Sequence, residues 1–176
     1  PTQALLDALT IREKKGGFEK LDVLICGDIA HSRVVRSNIH LLKTMGANVT
    51  VSGPATMIPQ QIEKMGIKVE TNFEKALSGK DVVMMLRIQL ERQEKALFPS
   101  LKEYFLTYGL TEERMKLCDS KCIVMHPGPI NRGVEISSEV ADSKDAVILE
   151  QVENGVAVRM AILYLLLGGG EDETSN

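Results

Sequence analysis

Lys121-Cys122-Ile123-Val124-Met125-His126-Pro127-Gly128-Pro129-Ile130-Asn131-Arg132-Gly133 joins an apolar run directly to a proline cluster. Ile123, Val124 and Met125 read as a buried strand. Two prolines around one glycine then turn the chain sharply. Neither proline carries an N–H, and each ring fixes φ. The turn therefore presents more acceptors than donors. Bare carbonyls at a strand end suit an –NH2 donor on a ligand. Gly128–Pro129 is a candidate cis bond, because only X-Pro bonds reach cis cheaply. The same cluster also fits a plain strand-to-loop turn with no ligand.

Outward from this stretch, apolar strand patterns recur at 21–27, 48–52, 67–70 and 81–86, with one more short strand expected at 146–149. Helical patterns separate them at 34–45, 59–65 and 73–77. Two apolar helices frame the set, one carrying Ala4, Leu5, Leu6, Leu9 and Ile11, the other at 156–167. Strands that alternate with helices and read as continuous apolar runs predict a parallel sheet covered on both faces. The expected fold class is α/β: a doubly wound, mostly parallel five-stranded sheet with helices on both faces. In such a sheet, ligands bind beyond the carboxyl ends of the strands, at the switch point.

The 176 residues make one domain, or one domain with a piece of a neighbour. Hydrophobic residues reach 44%, with no Trp, so the expected core is aliphatic and methionine-rich. A net charge of −3 argues against a general nucleic-acid binder or a basic membrane-surface protein. No apolar run is long enough to span a bilayer, and the start is not a signal peptide. Cys26, Cys118 and Cys122 form no even framework, so reduced thiols and a cytoplasmic location are expected. Cys118, Cys122 and His126 are four apart, but the strand pattern breaks that helical face, and no metal site is expected. An opening proline in place of Met suggests a piece of a longer chain. The glycine-rich, acidic end at 168–176 is expected to be disordered.

Chemistry is therefore sought just after the strands. Gly27-Asp28-Ile29-Ala30-His31-Ser32-Arg33 follows the first, Arg87-Ile88-Gln89 the fourth, and the proline turn the fifth. The first loop leads into a helix N-terminus, which favours an anion. Two guanidinium groups there fit a carboxylate or phosphate through forked hydrogen bonds. Any one arginine taken singly is more often a surface or ion-pair residue. No GxGxxG follows the first strand, which speaks against a dinucleotide. His31 lies in the crevice loop, His40 within a helix, and His126 is expected to hold the turn by hydrogen bonding. None is assigned as a general base. The connection at 91–114 is long and polar, as in a lid that closes over a ligand.

Four motifs in order complete the reading: Pro1-Thr2-Gln3-Ala4-Leu5-Leu6-Asp7, Gly27-Asp28 with His31-Ser32-Arg33-Val34 and Arg36-Ser37-Asn38, Leu86-Arg87-Ile88-Gln89 with Glu91-Arg92, and the proline turn through Gly133. Together they resemble the aspartate carbamoyltransferase family over nearly the whole chain to Leu167. The resemblance covers only the second half of that family's catalytic chain. The amino-terminal half, with its Ser-Thr-Arg-Thr-Arg phosphate motif and lysine loop, has no counterpart here. The division it implies is a linking helix at 1–15, an aspartate-binding domain at 16–153, a terminal helix at 154–167 returning to the other half, and a tail at 168–176.

By the same resemblance, Gln3 contacts carbamoyl phosphate, and the backbone of Pro127, Gly128 and Pro129 receives its –NH2. Arg33 and Arg87 bind the carboxylates of L-aspartate, and Gln89 supports that pocket. The implied partners are these two substrates, the amino-terminal carbamoyl-phosphate domain and a homotrimer of complete chains. No cofactor, nucleic acid or membrane is implied. Two rival readings are an ornithine carbamoyltransferase and a non-catalytic assembly domain of the same fold. The ornithine form resembles a His-Cys-Leu-Pro turn with a Ser-Met-Gly loop, where this chain has Pro127 and Arg87-Ile88-Gln89.

Overall fold

The computed structural model describes residues 2–88 and 100–168. Pro1, Gln89, the stretch 91–99 of the expected lid and the tail from 169 lie outside the described residues. Five strands, β1 (Asp22–Cys26), β2 (Asn48–Ser52), β3 (Lys68–Val69), β4 (Val82–Met85) and β5 (Ile123–Met125), form one sheet in the order β3-β2-β1-β4-β5. Every pairing is parallel. The chain builds outward from β1 to one side, then crosses to β4 on the other. The switch point falls between β1 and β4.

Alternate residues of each strand feed two separate cores. Val23 and Ile25 of β1, with Val82 and Met84 of β4, pack with Ile11 of α1 (Thr2–Lys15) and with Val35, Ile39 and Leu42 of α2 (Arg33–Thr44). Leu24, Cys26, Val83, Met85 and Val124 face the other way, onto Phe73 and Leu77 of α3 (Phe73–Leu77) and Val140 of α6 (Ser138–Ala141). Burial on both faces is why the strands read as unbroken apolar runs rather than alternating ones.

Two expectations are corrected. The pattern at 59–65 forms no α-helix; the chain makes 3₁₀ turns at Ala55–Met57 and Ile62–Met65 instead. Pro59 lacks an N–H, and Gln61 takes a left-handed φ of 64°, so a regular helix cannot run through them. The segment 146–149 is not a strand. Ala146 makes a single bridge to Val124, and α7 (Ile148–Leu166) begins at once. The predicted terminal helix therefore starts eight residues early, with Asn154 and Gly155 inside it.

Gly155 is where α7 rests on α1. A Cβ there would stand 3.3 Å from Leu6 Cδ2 and 2.8 Å from the Arg159 guanidinium. The contact is extended by Lys14–Glu150 at 2.7 Å and by Asn154 Nδ2 donating to Thr10 Oγ1 and Glu13 Oε2. Gly155→Val is expected to overpack this crossing and cost about 1–3 kcal/mol of stability. A urea or thermal midpoint equal to wild type would show that α1 yields without cost.

The expected lid region is partly helical, in α4 (Leu101–Tyr108) and α5 (Glu112–Met115). Tyr104 anchors α4 in a small cluster with Met57 and Ile88, next to the end of β4.

Candidate active site

Beyond the carboxyl ends of β1, β4 and β5 opens a cleft of about 290 Å³. Gln3 of α1 lines it, with Asp28, His31 and Arg33 after β1, Arg87 after β4, and Pro127 and Gly128 after β5. The topology explains the convergence: loops at a switch point diverge and leave a crevice between them. Gly27, at a φ of 134°, permits it locally, since a Cβ there would meet Leu86 Cβ at 2.9 Å.

The proline turn is held from behind. The Gly128–Pro129 bond is cis, and Gly128 takes a φ of 69°. Gly128 N–H donates to His126 Nδ1 at 2.9 Å, and His126 N–H donates to Gln151 Oε1 at 2.9 Å. His126 is 1% exposed. Burial, with the neighbouring Arg87 charge, pushes its pKa down to about 4. The ring is therefore neutral near pH 7, with Nδ1 accepting and the proton on Nε2. It holds the turn, as its sequence position suggested.

The loop after β1 is organised by Asp28. Its Oδ1 accepts from His31 N–H at 3.1 Å and pairs with His31 Nδ1 at 2.9 Å. The next element, α2, starts at the cleft. Asn72, Ser100, Thr111 and Ser137 each accept a first-turn N–H of α3, α4, α5 and α6. Ser32, in the same position before α2, makes no such bond, and no acidic residue lies in that first turn. The start of α2 thus faces the cleft with its N–H groups and the positive end of its dipole. Arg33 is exposed and Arg87 half-buried, and both line the cleft.

A second carboxylate braces the floor. Glu135, fully buried, accepts from Ile88 N–H at 2.7 Å and Asn131 Nδ2 at 2.8 Å through Oε1, and from Asn131 N–H at 2.9 Å through Oε2. Asn131 Nδ2 also reaches Ile88 O at 3.2 Å. This clamp ties the residue after Arg87 to the residues after the proline turn. Burial raises the Glu135 pKa, and the hydrogen bonds oppose that rise. Asn131 stood in the quoted sequence and Glu135 just beyond it, but nothing local marked them as partners of Ile88, 47 positions away from Glu135.

Of the residues singled out from sequence, Gln3, Arg33, Arg87, Pro127 and Gly128 line one cleft. Pro129 is exposed and does not line it. Gln89 lies outside the described residues. Arg132 points elsewhere, into a forked pair with Asp142 at 2.7 Å. Among the described residues, no three His, Cys, Asp or Glu side chains cluster as metal ligands, and no helix is long and apolar enough to cross a membrane.

Residues 19–166 match the model of the aspartate/ornithine carbamoyltransferase Asp/Orn-binding domain. The chain is 62% identical over 175 residues to an aspartate carbamoyltransferase catalytic subunit of Syntrophotalea carbinolica, covering 99% of this chain and 56% of that protein. It is 63% identical over 169 residues to that of Moorella thermoacetica, covering 96% and 55%. Among solved structures it resembles ornithine carbamoyltransferase from Pyrococcus furiosus, with a TM-score of 0.81 and 27% identity over 96% of this chain and 56% of that one. It also resembles aspartate transcarbamoylase from Trypanosoma cruzi in complex with aspartate and phosphate, with a TM-score of 0.76 and 29% identity over 93% and 56%. The chain spans about half the length of the curated relatives it matches. Strand order, cleft and sequence thus agree, and the chain belongs to the aspartate/ornithine carbamoyltransferase family as its Asp/Orn-binding domain.

Proposed function

We propose that this chain is the aspartate-binding half of an enzyme that moves the carbamoyl group of carbamoyl phosphate to the amine of L-aspartate, giving N-carbamoyl-L-aspartate and phosphate for pyrimidine biosynthesis. The observation that carries the reading is one cleft lined by both a guanidinium pair, Arg33 and Arg87, and a donor-poor turn, Pro127-Gly128. A dicarboxylic amino acid and a carbamoyl –NH2 need those two surfaces side by side. Arg33 and Arg87 take the aspartate carboxylates, with Gln89 supporting them. Gln3 and the carbonyls of Pro127 and Gly128 take the carbamoyl end.

The aspartate amine attacks the carbamoyl carbon. The bond from that carbon to the phosphate oxygen then breaks, and the departing phosphate takes the amine proton. Such a reaction needs orientation and stabilisation of the tetrahedral oxyanion more than a protein base. His126 suits that economy, since its Nδ1 is already engaged by Gly128 N–H. No cofactor enters. The phosphate donors belong to the amino-terminal half, in a trimer of complete chains in the cytoplasm.

The exposed side of α7 supports that other half as its partner. Leu149, Val152, Val156, Met160 and Leu163 are each more than half exposed, and they repeat at helical spacing. Ornithine is the competing second substrate, but Arg87 and the proline at position 127 favour a dianion. The complete enzyme, given carbamoyl phosphate, is expected to yield carbamoylaspartate with L-aspartate and no citrulline with L-ornithine. Citrulline alone would overturn the assignment of Arg33 and Arg87.

A further inference from the structure

Asp7 is fully buried in α1, between α2 and α7, and its carboxylate meets three amide donors. Oδ1 accepts from Gln3 Nε2 at 2.9 Å and Gln151 Nε2 at 2.8 Å, and Oδ2 accepts from Asn38 Nδ2 at 2.8 Å. The amide assignments are not arbitrary. His126 N–H needs an acceptor and finds Gln151 Oε1, so the NH2 end of Gln151 must face Asp7. Asp7 is therefore required to accept, which suits the ionised carboxylate. Burial raises its pKa, and the three donors counter that rise.

We infer that Asp7 is a positioning residue for the carbamoyl side of the cleft, acting through Gln3 on one arm and through Gln151 and His126 on the other; this rests on the functional reading above. On the first arm, Gln3 lines the cleft, and pinning its Nε2 to Asp7 leaves Oε1 and one N–H for a ligand. On the second, Asp7 orients Gln151, Gln151 holds His126 N–H, and His126 Nδ1 holds Gly128 N–H. Both arms end on groups assigned to the carbamoyl moiety. The third bond, to Asn38, ends on α2, but Val35, Ile39 and Leu42 bury that helix in the core independently. Arg33, at the start of α2, does not depend on Asp7. A carboxylate that served packing alone would be replaceable by an apolar residue, as buried ionic groups often are. This one instead fixes the hydrogen-bonding sense of two amides that lead to the site.

The test is steady-state kinetics of the complete catalytic chain with both substrates, alongside its melting curve. Asp7→Ala is expected to raise the KM for carbamoyl phosphate at least about tenfold, the size of a lost hydrogen bond to a charged group. The aspartate KM should move less than about threefold. Asp7→Asn should recover most of the loss. Its oxygen can serve Gln3 and Gln151, while Asn38, whose Oδ1 has no hydrogen-bond partner among the described residues, turns over to accept the new NH2. Equal shifts in both KM values, or unchanged kinetics below the melting point, would overturn the inference. So would an Asn variant no better than Ala. If Asp7→Ala does not fold, Gln151→Met cuts only the arm to the turn and carries the same expectation; an unchanged carbamoyl-phosphate KM there overturns it too. A wild-type enzyme forming no carbamoylaspartate would sink the functional reading itself, whereas an active wild type with indifferent variants removes only Asp7.

Discussion

Assayed by itself, this chain is expected to form no carbamoylaspartate above the uncatalysed rate. Carbamoyl phosphate brings a phosphate group that needs several donors to hold it and to take up the charge as it leaves. The cleft offers Gln3, the start of α2 and two arginines that the proposed function reserves for a dicarboxylate. Loss of one oxyanion donor costs about 10²–10³ in rate in well-studied enzymes. Absence of the whole phosphate pocket should therefore cost many orders of magnitude. The apolar stripe on α7 adds a second expected property: the isolated chain should self-associate, and adding the amino-terminal half should both disperse it and restore turnover. The measurement is product formation and sedimentation of the chain alone, then after mixing. Robust turnover by the chain alone would mean that the phosphate is bound by residues assigned here to aspartate.

In the complete enzyme, Arg87→Lys and Arg33→Ala are each expected to raise the aspartate KM at least about tenfold. The expected loss is roughly 1.5–3 kcal/mol, that of a charged hydrogen bond. The lysine variant is the sharper probe. It keeps the positive charge but replaces a planar fork with a single point, so bidentate recognition of a carboxylate is lost. The backbone beside position 87 should be held alike in wild type and variant, because Ile88, the next residue, is clamped by Glu135 at 2.7 Å, so the comparison isolates the side chain. The carbamoyl-phosphate KM should stay near wild type in both variants. Unchanged aspartate kinetics in both would remove these arginines from the aspartate pocket.

The strands were legible because burial on both faces leaves an unmistakable apolar run, as at 81–86. The switch-point cleft was legible because its residues sit directly after those runs, and because two prolines write the turn's chemistry into the local sequence. The start of α7 was hidden. The segment 146–149 read as a strand and the apolar pattern at 156–167 marked only the later turns of the helix, while Gly155 is there to let two helices approach, a fact that belongs to Leu6 as much as to α7. Asp7 and Glu135 were hidden for a related reason. A lone acid on a helix or in a loop usually faces water. What marks these two is donors that lie 31, 47 and 144 residues away. Only the folded chain brings those amides to them.

The antiparallel pairing of α1 and α7 has a further consequence. Glu150 meets Lys14, Gly155 faces Leu6, and Arg159 shares a small cavity with Gln3, so the first residues of α1 lie alongside the later turns of α7. Gln3, almost the first residue of α1, is at the same time part of the cleft wall. A polypeptide joined ahead of α1 is thereby tethered at the rim of the cleft, not at some remote corner of the domain. A short covalent tether of this kind holds its cargo at an effective concentration in the millimolar range. The two halves of such an enzyme can then separate to admit substrate and close again without dissociating, and the noncovalent contact between them need only be weak.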